Sequence, residues 1–134
     1  MLYLDTSALV KLIRHEPESD DLADWLDAQA PTPWVSSTLV EVELPRALRR
    51  TDAALTAHVP AIIARLARYE IDDVVRAAAG AYPDPELRSL DAIHLATAAT
   101  IFGDLLTGFV AYDHRLLAAA QALGLPTTSP GRPS

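Results

Sequence analysis

The chain opens Met1-Leu2-Tyr3-Leu4-Asp5-Thr6-Ser7-Ala8-Leu9-Val10-Lys11-Leu12-Ile13. The apolar run Met1–Leu4 ends at an acid. Thr6 or Ser7 can cap the helix that follows, whose apolar side is Ala8, Leu9, Val10, Leu12 and Ile13. The unit is strand, tight turn, helix, with Asp5 at the carboxyl end of the strand. Similar units recur along the chain. Trp34-Val35-Ser36 is a second strand, and the helix after Ser37 or Thr38 carries Leu39, Val42, Leu44, Ala47 and Leu48, with Pro45 expected to kink or restart it. Tyr69-Glu70-Ile71 is a third strand, followed by a helix that starts at Asp72-Asp73 and carries Val74, Val75 and Ala78. Gly108–Tyr112 is a fourth, ending at Asp113, with a helix over His114–Leu123 closed by Gly124. Leu125–Thr128 supplies a last strand. Further helices start at Ser19 (Leu22, Trp25, Leu26), run from about Asp52 to Arg68 with a break at Pro60, and start at a Ser89 cap (Leu90, Ile93, Leu95, Ala96, Ala99). Strands alternating with helices predict an α/β domain: a mostly parallel central sheet of four or five short strands, with about seven helices on its two faces.

The 134 residues make one domain. Its expected extent is 1–128, with 129–134 as a flexible polar tail. The absence of cysteine excludes a disulfide scaffold, thiolate zinc sites and a cysteine nucleophile. No apolar run is long enough to span a membrane, and the opening acquires charge too early for a signal peptide, so a cytoplasmic location is expected. Eighteen acidic residues against eleven basic ones give a net charge of −7. Bulk charge therefore repels nucleic acid. If the protein acts on nucleic acid, the acids themselves must serve that chemistry.

In an open parallel sheet, ligands bind outside the carboxyl ends of the strands. Asp5 and Asp113 lie at two such ends. Asp91 opens a helix, and Glu41 or Glu43 lies early in the helix after the second strand. Each acid alone serves as a cap or a favourable charge at a helix N-terminus. Together they repel, so one must bind a proton unless a cation lies between them. Oxygen-only donors suit Mg²⁺ or Mn²⁺. The chemistry that follows is hydrolysis of a phosphodiester by water activated on the metal. Glu41 and Glu43 point about 200° apart on a helix, so only one can face such a site.

Four blocks carry a family resemblance. They are Leu4-Asp5-Thr6-Ser7-Ala8-Leu9-Val10-Lys11-Leu12; Ser36-Ser37-Thr38-Leu39-Val40-Glu41-Val42-Glu43-Leu44 with Arg46-Ala47-Leu48; Leu90-Asp91-Ala92-Ile93-His94-Leu95-Ala96; and Phe109-Val110-Ala111-Tyr112-Asp113-His114-Arg115-Leu116 with Ala119-Ala120 and Gly124-Leu125. In this order and spacing they resemble PIN-domain ribonucleases, specifically the VapC toxins of bacterial toxin–antitoxin pairs, over residues 2 to about 128. The resemblance implies that Asp5, Glu43, Asp91 and Asp113 are both the catalytic and the metal-binding acids. It also implies an Mg²⁺- or Mn²⁺-dependent endoribonuclease, RNA as substrate, a homodimer, and neutralisation by a cognate VapB-type antitoxin. Two positions depart from the pattern. Ala111 stands where the family usually has Thr or Ser, which removes a hydroxyl near Asp113. Pro45 follows Glu43-Leu44 where the family has a non-proline residue.

Two other functions fit less of the chain. A phosphoacceptor receiver domain opens with paired acids and carries a lysine after a late strand; here Asp5 stands alone and the single lysine is Lys11. A PIN-like binding module without activity is favoured only by Ala111. Thr6 and Ser7 combine helix capping with possible phosphate contact. Arg46, Arg49 and Arg50 share a helix face that reads as solvated or ion-paired, with RNA contact as the alternative, and Arg65 and Arg68 read the same way. His15, His94 and His114 lack metal-ligand spacing, and His94 reads as a packed or hydrogen-bonded histidine. Trp25 reads as core or as the wall of the groove that receives the antitoxin in VapC-like proteins.

Overall fold

The computed structural model describes residues 1–133; Ser134, the end of the expected tail, lies outside them. Five strands form one fully parallel sheet: β1 (Leu2–Leu4), β2 (Trp34–Ser37), β3 (Leu66–Tyr69), β4 (Gly108–Val110) and β5 (Thr127–Thr128). Their order is β3-β2-β1-β4-β5, with Tyr3 opposite both Val35 and Phe109. Seven α-helices connect them: α1 (Thr6–Ile13), α2 (Ser19–Ala28), α3 (Val40–Arg49), α4 (Val59–Ala64), α5 (Asp73–Ala81), α6 (Ser89–Thr97) and α7 (His114–Ala122). The α/β architecture expected from the alternation is the one observed.

β1 is central, so it is buried on both faces, as parallel strands covered by helices must be. Because side chains alternate, Leu2 and Leu4 enter one core with Leu9, Leu22, Leu44 and Leu48 from α1–α3. Tyr3 enters the other with Leu95, Phe102 and Leu116, its ring stacked on Phe109 at 5.3 Å.

Several expectations are corrected. The side chain that caps α1 is Asp5, not Thr6 or Ser7. The carboxylate accepts from the Ala8 N–H three residues on, an N-cap geometry for which Asp is among the preferred residues. Ser89 makes no cap hydrogen bond, and α6 starts after Arg88. The single helix expected over 52–68 is a 3₁₀ segment (Ala53–His58), then α4, then β3. Pro60 falls in the first turn of α4, where no intrahelical N–H is needed. The third strand therefore begins at Leu66 rather than Tyr69: Leu66 is buried opposite Trp34, whose ring carries the Arg65 guanidinium at 4.1 Å. Pro45 lies inside a continuous α3. The fully buried Leu44 and Leu48 hold that helix on the core on either side of the missing backbone donor. Val42, Val74 and Leu90, which belong to the apolar sets of their helices, lie in first helical turns and are exposed.

Residues 129–132 of the expected flexible tail are tied down. Ser129 Oγ donates to the Ala111 carbonyl at 2.5 Å, the Tyr112 hydroxyl donates to the Pro130 carbonyl at 2.7 Å, and Arg132 donates to the Tyr112 carbonyl. Lys11 Nζ, at 4.6 Å, and the Arg132 guanidinium, at 5.1 Å, both lie over the Tyr112 ring. Gly131 makes the turn at φ +92°, and a Cβ there would meet the Glu18 Cβ at 3.0 Å.

Candidate active site

Asp5 leaves β1 into the first turn of α1 and is 3% exposed. Its Oδ1 accepts from Ser7 Oγ at 2.6 Å and from the Ala8 N–H at 3.0 Å. Burial pushes its carboxyl up to about 6; nearby His94 and the two hydrogen bonds oppose this, and Asp91 adds repulsion. Ser7 Oγ also accepts the Tyr112 N–H at 3.0 Å, which ties β1 to the loop after β4.

Asp91 sits in the first turn of α6, half-buried. It makes no hydrogen bond to a described residue. Burial and then repulsion from Asp113 raise its carboxyl, and Glu43 adds to the effect. Asp113 is exposed and caps α7, its Oδ1 accepting the Leu116 N–H at 2.9 Å. β4 ends at Val110, so Asp113 stands three residues beyond the strand rather than at its tip.

The two glutamates of α3 diverge, as helical spacing requires. Glu41 pairs at the surface with Arg68 at 3.3 Å. Glu43 turns inward, its Oε1 accepting from Thr6 Oγ1 at 2.6 Å and contacting His94 Nε2 at 2.6 Å. Burial works to raise the Glu43 carboxyl, but the His94 and Thr6 contacts outweigh it and the net position is below the usual range. The contact between His94 and Glu43 was not legible in the residue types alone. The signal available was spacing: Asp91 and His94, three apart, share one face of α6.

Two shallow hollows meet at Asp113. One, of about 360 Å³, is lined by Glu86, Arg88, Asp91, His114 and Arg115. The other, of about 410 Å³, includes Thr6, Ser7, Lys11, Arg14, Arg50 and Arg132. Of the Arg46-Arg49-Arg50 face, only Arg50 reaches this hollow. A larger hollow, about 500 Å³, lies between α7 and residues 127–133 and has no carboxylate in its lining. His15 and His114 are exposed, and His15 lies 3.5 Å from Asp20. Trp25 is half-buried against the first core. Lys11 is buried on α1 and pairs with Glu16 and Glu18, both at 3.2 Å, which leaves no lysine for a receiver-type site.

Asp5, Asp91 and Asp113 interact electrostatically, yet among the described residues no three acids or histidines are close enough to form a ready-made set of metal ligands. None of these three aspartates has a cation as ion-pair partner among the described residues. The donors are all hard carboxylate oxygens carrying uncompensated charge. In charge and donor chemistry they fit a hard divalent cation.

The sequence model of one family, the PIN domain, matches residues 2–123. The chain is 57% identical to Ribonuclease VapC35 of Mycobacterium tuberculosis over 98% of each chain. Its fold is like that of the sarcin-ricin-loop-cleaving toxin VapC20 of Mycobacterium tuberculosis (TM-score 0.72, 19% identity, 89% of this chain and 95% of that one). It is also like VapBC2 of Rickettsia felis bound to a promoter DNA fragment (TM-score 0.68, 16% identity, 97% and 99%). With a family match over nearly the whole length and a full-length relative at that identity, this chain belongs to the PIN-domain family, among the VapC ribonucleases.

Proposed function

We propose that this protein is an endoribonuclease toxin that hydrolyses RNA phosphodiester bonds with Mg²⁺ or Mn²⁺ and is neutralised by a VapB-type antitoxin. One observation carries the reading: at the carboxyl end of the sheet Asp91 is electrostatically coupled to both Asp5 and Asp113, and burial and mutual repulsion raise the Asp5 and Asp91 carboxyls. Full-length similarity to a protein named as a ribonuclease supports RNA as the substrate. Likeness in fold to VapBC2 of Rickettsia felis supports a VapB-type partner. The same reading places the toxin in the cytoplasm as a homodimer; among the described residues no helix is long and apolar enough to cross a membrane.

Asp5, Asp91 and Asp113, with Glu43, would hold the cation. When bound, it supplies Lewis-acid activation of water and of the phosphodiester. The chain's own residues prepare the rest. Ser7 and the Ala8 N–H fix one oxygen of Asp5, so the other is the oxygen available to the site. Thr6 and His94 do the same for Glu43. Arg50 and Arg132 on one side of Asp113, and Arg88 and Arg115 on the other, offer charge to the phosphates flanking the cleaved bond.

The test is RNA cleavage by the purified protein with Mg²⁺, with Mn²⁺ and in EDTA, beside Asp5→Ala. Cleavage only with metal, lost in a folded Asp5→Ala, is expected. Full activity in EDTA would overturn the reading. Sequencing of RNA 5′ ends after induced expression identifies the target.

A further inference from the structure

His94 is 1% exposed, a polar ring held between two partners. Its Nδ1 lies 2.7 Å from the hydroxyl of Tyr3, which is fully buried in the central strand. Its Nε2 lies 2.6 Å from Glu43 Oε1 and 3.4 Å from Thr6 Oγ1. Burial keeps the Tyr3 phenol protonated. The Glu43 carboxylate oxygen can only accept, so His94 Nε2, 2.6 Å away, carries a proton and donates it, while Nδ1 and the Tyr3 hydroxyl share the second hydrogen bond. Oε1 thus receives two donors, Thr6 and His94, while Oε2 receives none from the described residues.

We propose that His94 is a positioning residue for Glu43: its Nε2–H pins Oε1 of that carboxylate, so that Oε2 is the oxygen presented to the acidic site. The proposal rests on Glu43 being a member of that site. Donors behind a ligating carboxylate orient it and tune its basicity, and losing one costs roughly 10–100-fold in metal affinity. The sheet makes this placement rigid. Tyr3 is locked by stacking on Phe109 inside β1, and it fixes the ring that in turn fixes a side chain on α3. Three separate elements, β1, α6 and α3, are thereby registered to one oxygen atom.

Two variants separate positioning from packing. His94→Gln carries an amide donor near the place of Nε2, whereas His94→Asn carries it near Nδ1 and cannot reach Glu43. In calorimetric titration with Mn²⁺ alone, Glu43→Gln and His94→Asn are each expected to bind roughly 10–100-fold more weakly than wild type. His94→Gln should stay close to wild type, and the double variant Glu43→Gln/His94→Asn should be no weaker than Glu43→Gln. If Glu43→Gln binds like wild type, the assignment of Glu43 to the site fails. If Glu43→Gln weakens binding but His94→Asn does not, or if Asn and Gln at 94 weaken it equally, the positioning role fails alone. The unsubstituted protein gives a second measurement whose deciding result, the protonation of Nε2, needs no substitution at position 94. In metal-free protein with ¹⁵N-labelled histidine, His94 should carry its proton on Nε2, with a strongly downfield resonance that moves upfield in Glu43→Gln. An unprotonated Nε2 overturns the proposal.

Discussion

Replacing Asp5 by Asn should make the metal-free protein more stable, and by an amount that depends on pH. Asn keeps an Oδ1 acceptor for Ser7 Oγ and the Ala8 N–H, so the start of α1 is unchanged, while the buried charge is gone. Burial raises the Asp5 carboxyl from 3.8 to about 6 in the folded protein. Between those values the folded chain holds a proton that the unfolded chain has released. Stability therefore falls as pH rises through this window and does not recover above it. Roughly two pH units at about 1.36 kcal/mol each come to about 3 kcal/mol. Wild type and Asp5→Asn should melt together near pH 4, and at pH 8 in EDTA the variant should melt roughly 10 °C higher for a domain of this size. Divalent metal should close the gap from the other side, since a cation at 100 times its Kd stabilises the folded wild type by about 2.7 kcal/mol. Differential scanning calorimetry from pH 4 to 8, in EDTA and with Mn²⁺, measures both effects. A variant that melts lower than wild type at pH 8 in EDTA, or a difference that does not change with pH, would refute the claim that this carboxylate is held charged against its burial.

Asp91→Asn should act in the same direction but less, raising the metal-free melting temperature at pH 8, because Asp91 is only half-buried and solvent screens part of the burial and the repulsion from Asp113 that raise its carboxyl. A lower melting temperature would mean that Asp91 serves mainly as a favourable charge at the start of α6. Glu43→Gln should cut RNA cleavage by at least about 100-fold in kcat, the scale of losing one preorganised group, while Glu41→Gln, which breaks only the surface pair with Arg68, should leave it unchanged. Equal losses in the two would remove the distinction between them. Gly131→Ala should destabilise the fold by about 1–2 kcal/mol in urea titration, because a Cβ at φ +92° is strained and meets Glu18. No change there would show that residues 129–132 contribute nothing to the fold.

The elements that alternate strongly in the sequence were legible before the structure. β1, β2, β4 and the helices beside them have apolar runs or 3.6-residue spacing that no other element type satisfies. Residues 52–71 were not, since Leu66–Tyr69 carries a helical continuation of the preceding pattern, and only pairing with Trp34–Ser37 makes it a strand. First-turn residues Val42, Val74 and Leu90 fit the helical period but sit where each helix has just left the sheet and has nothing to pack on. The position of the four acids came from topology and block order. What spacing did not contain was their partners. Which glutamate oxygen His94 holds, and that Ser7 bridges Asp5 to Tyr112, depend on side chains separated by tens of residues that meet only across the sheet.

The strand order has a consequence for how the toxin comes into being. β1, which precedes the other four strands in the chain, lies between β2 and β4, and β4 begins only at Gly108. A growing chain can lay down β1, β2 and β3 with their helices and bury the core around Leu4, Leu9 and Leu44. One side of β1 then stays an open edge until residues 108–110 arrive. Asp113 and the Arg132–Tyr112 contact come later still. Asp5 and Asp113 are thus separated by more than a hundred residues of chain. A product that stops between Asp91 and Gly108 has Asp5, Glu43 and Asp91 but lacks both β4 and the fourth acid beside them. On the proposed assignment of the site, such a truncated product lacks the complete set of acids.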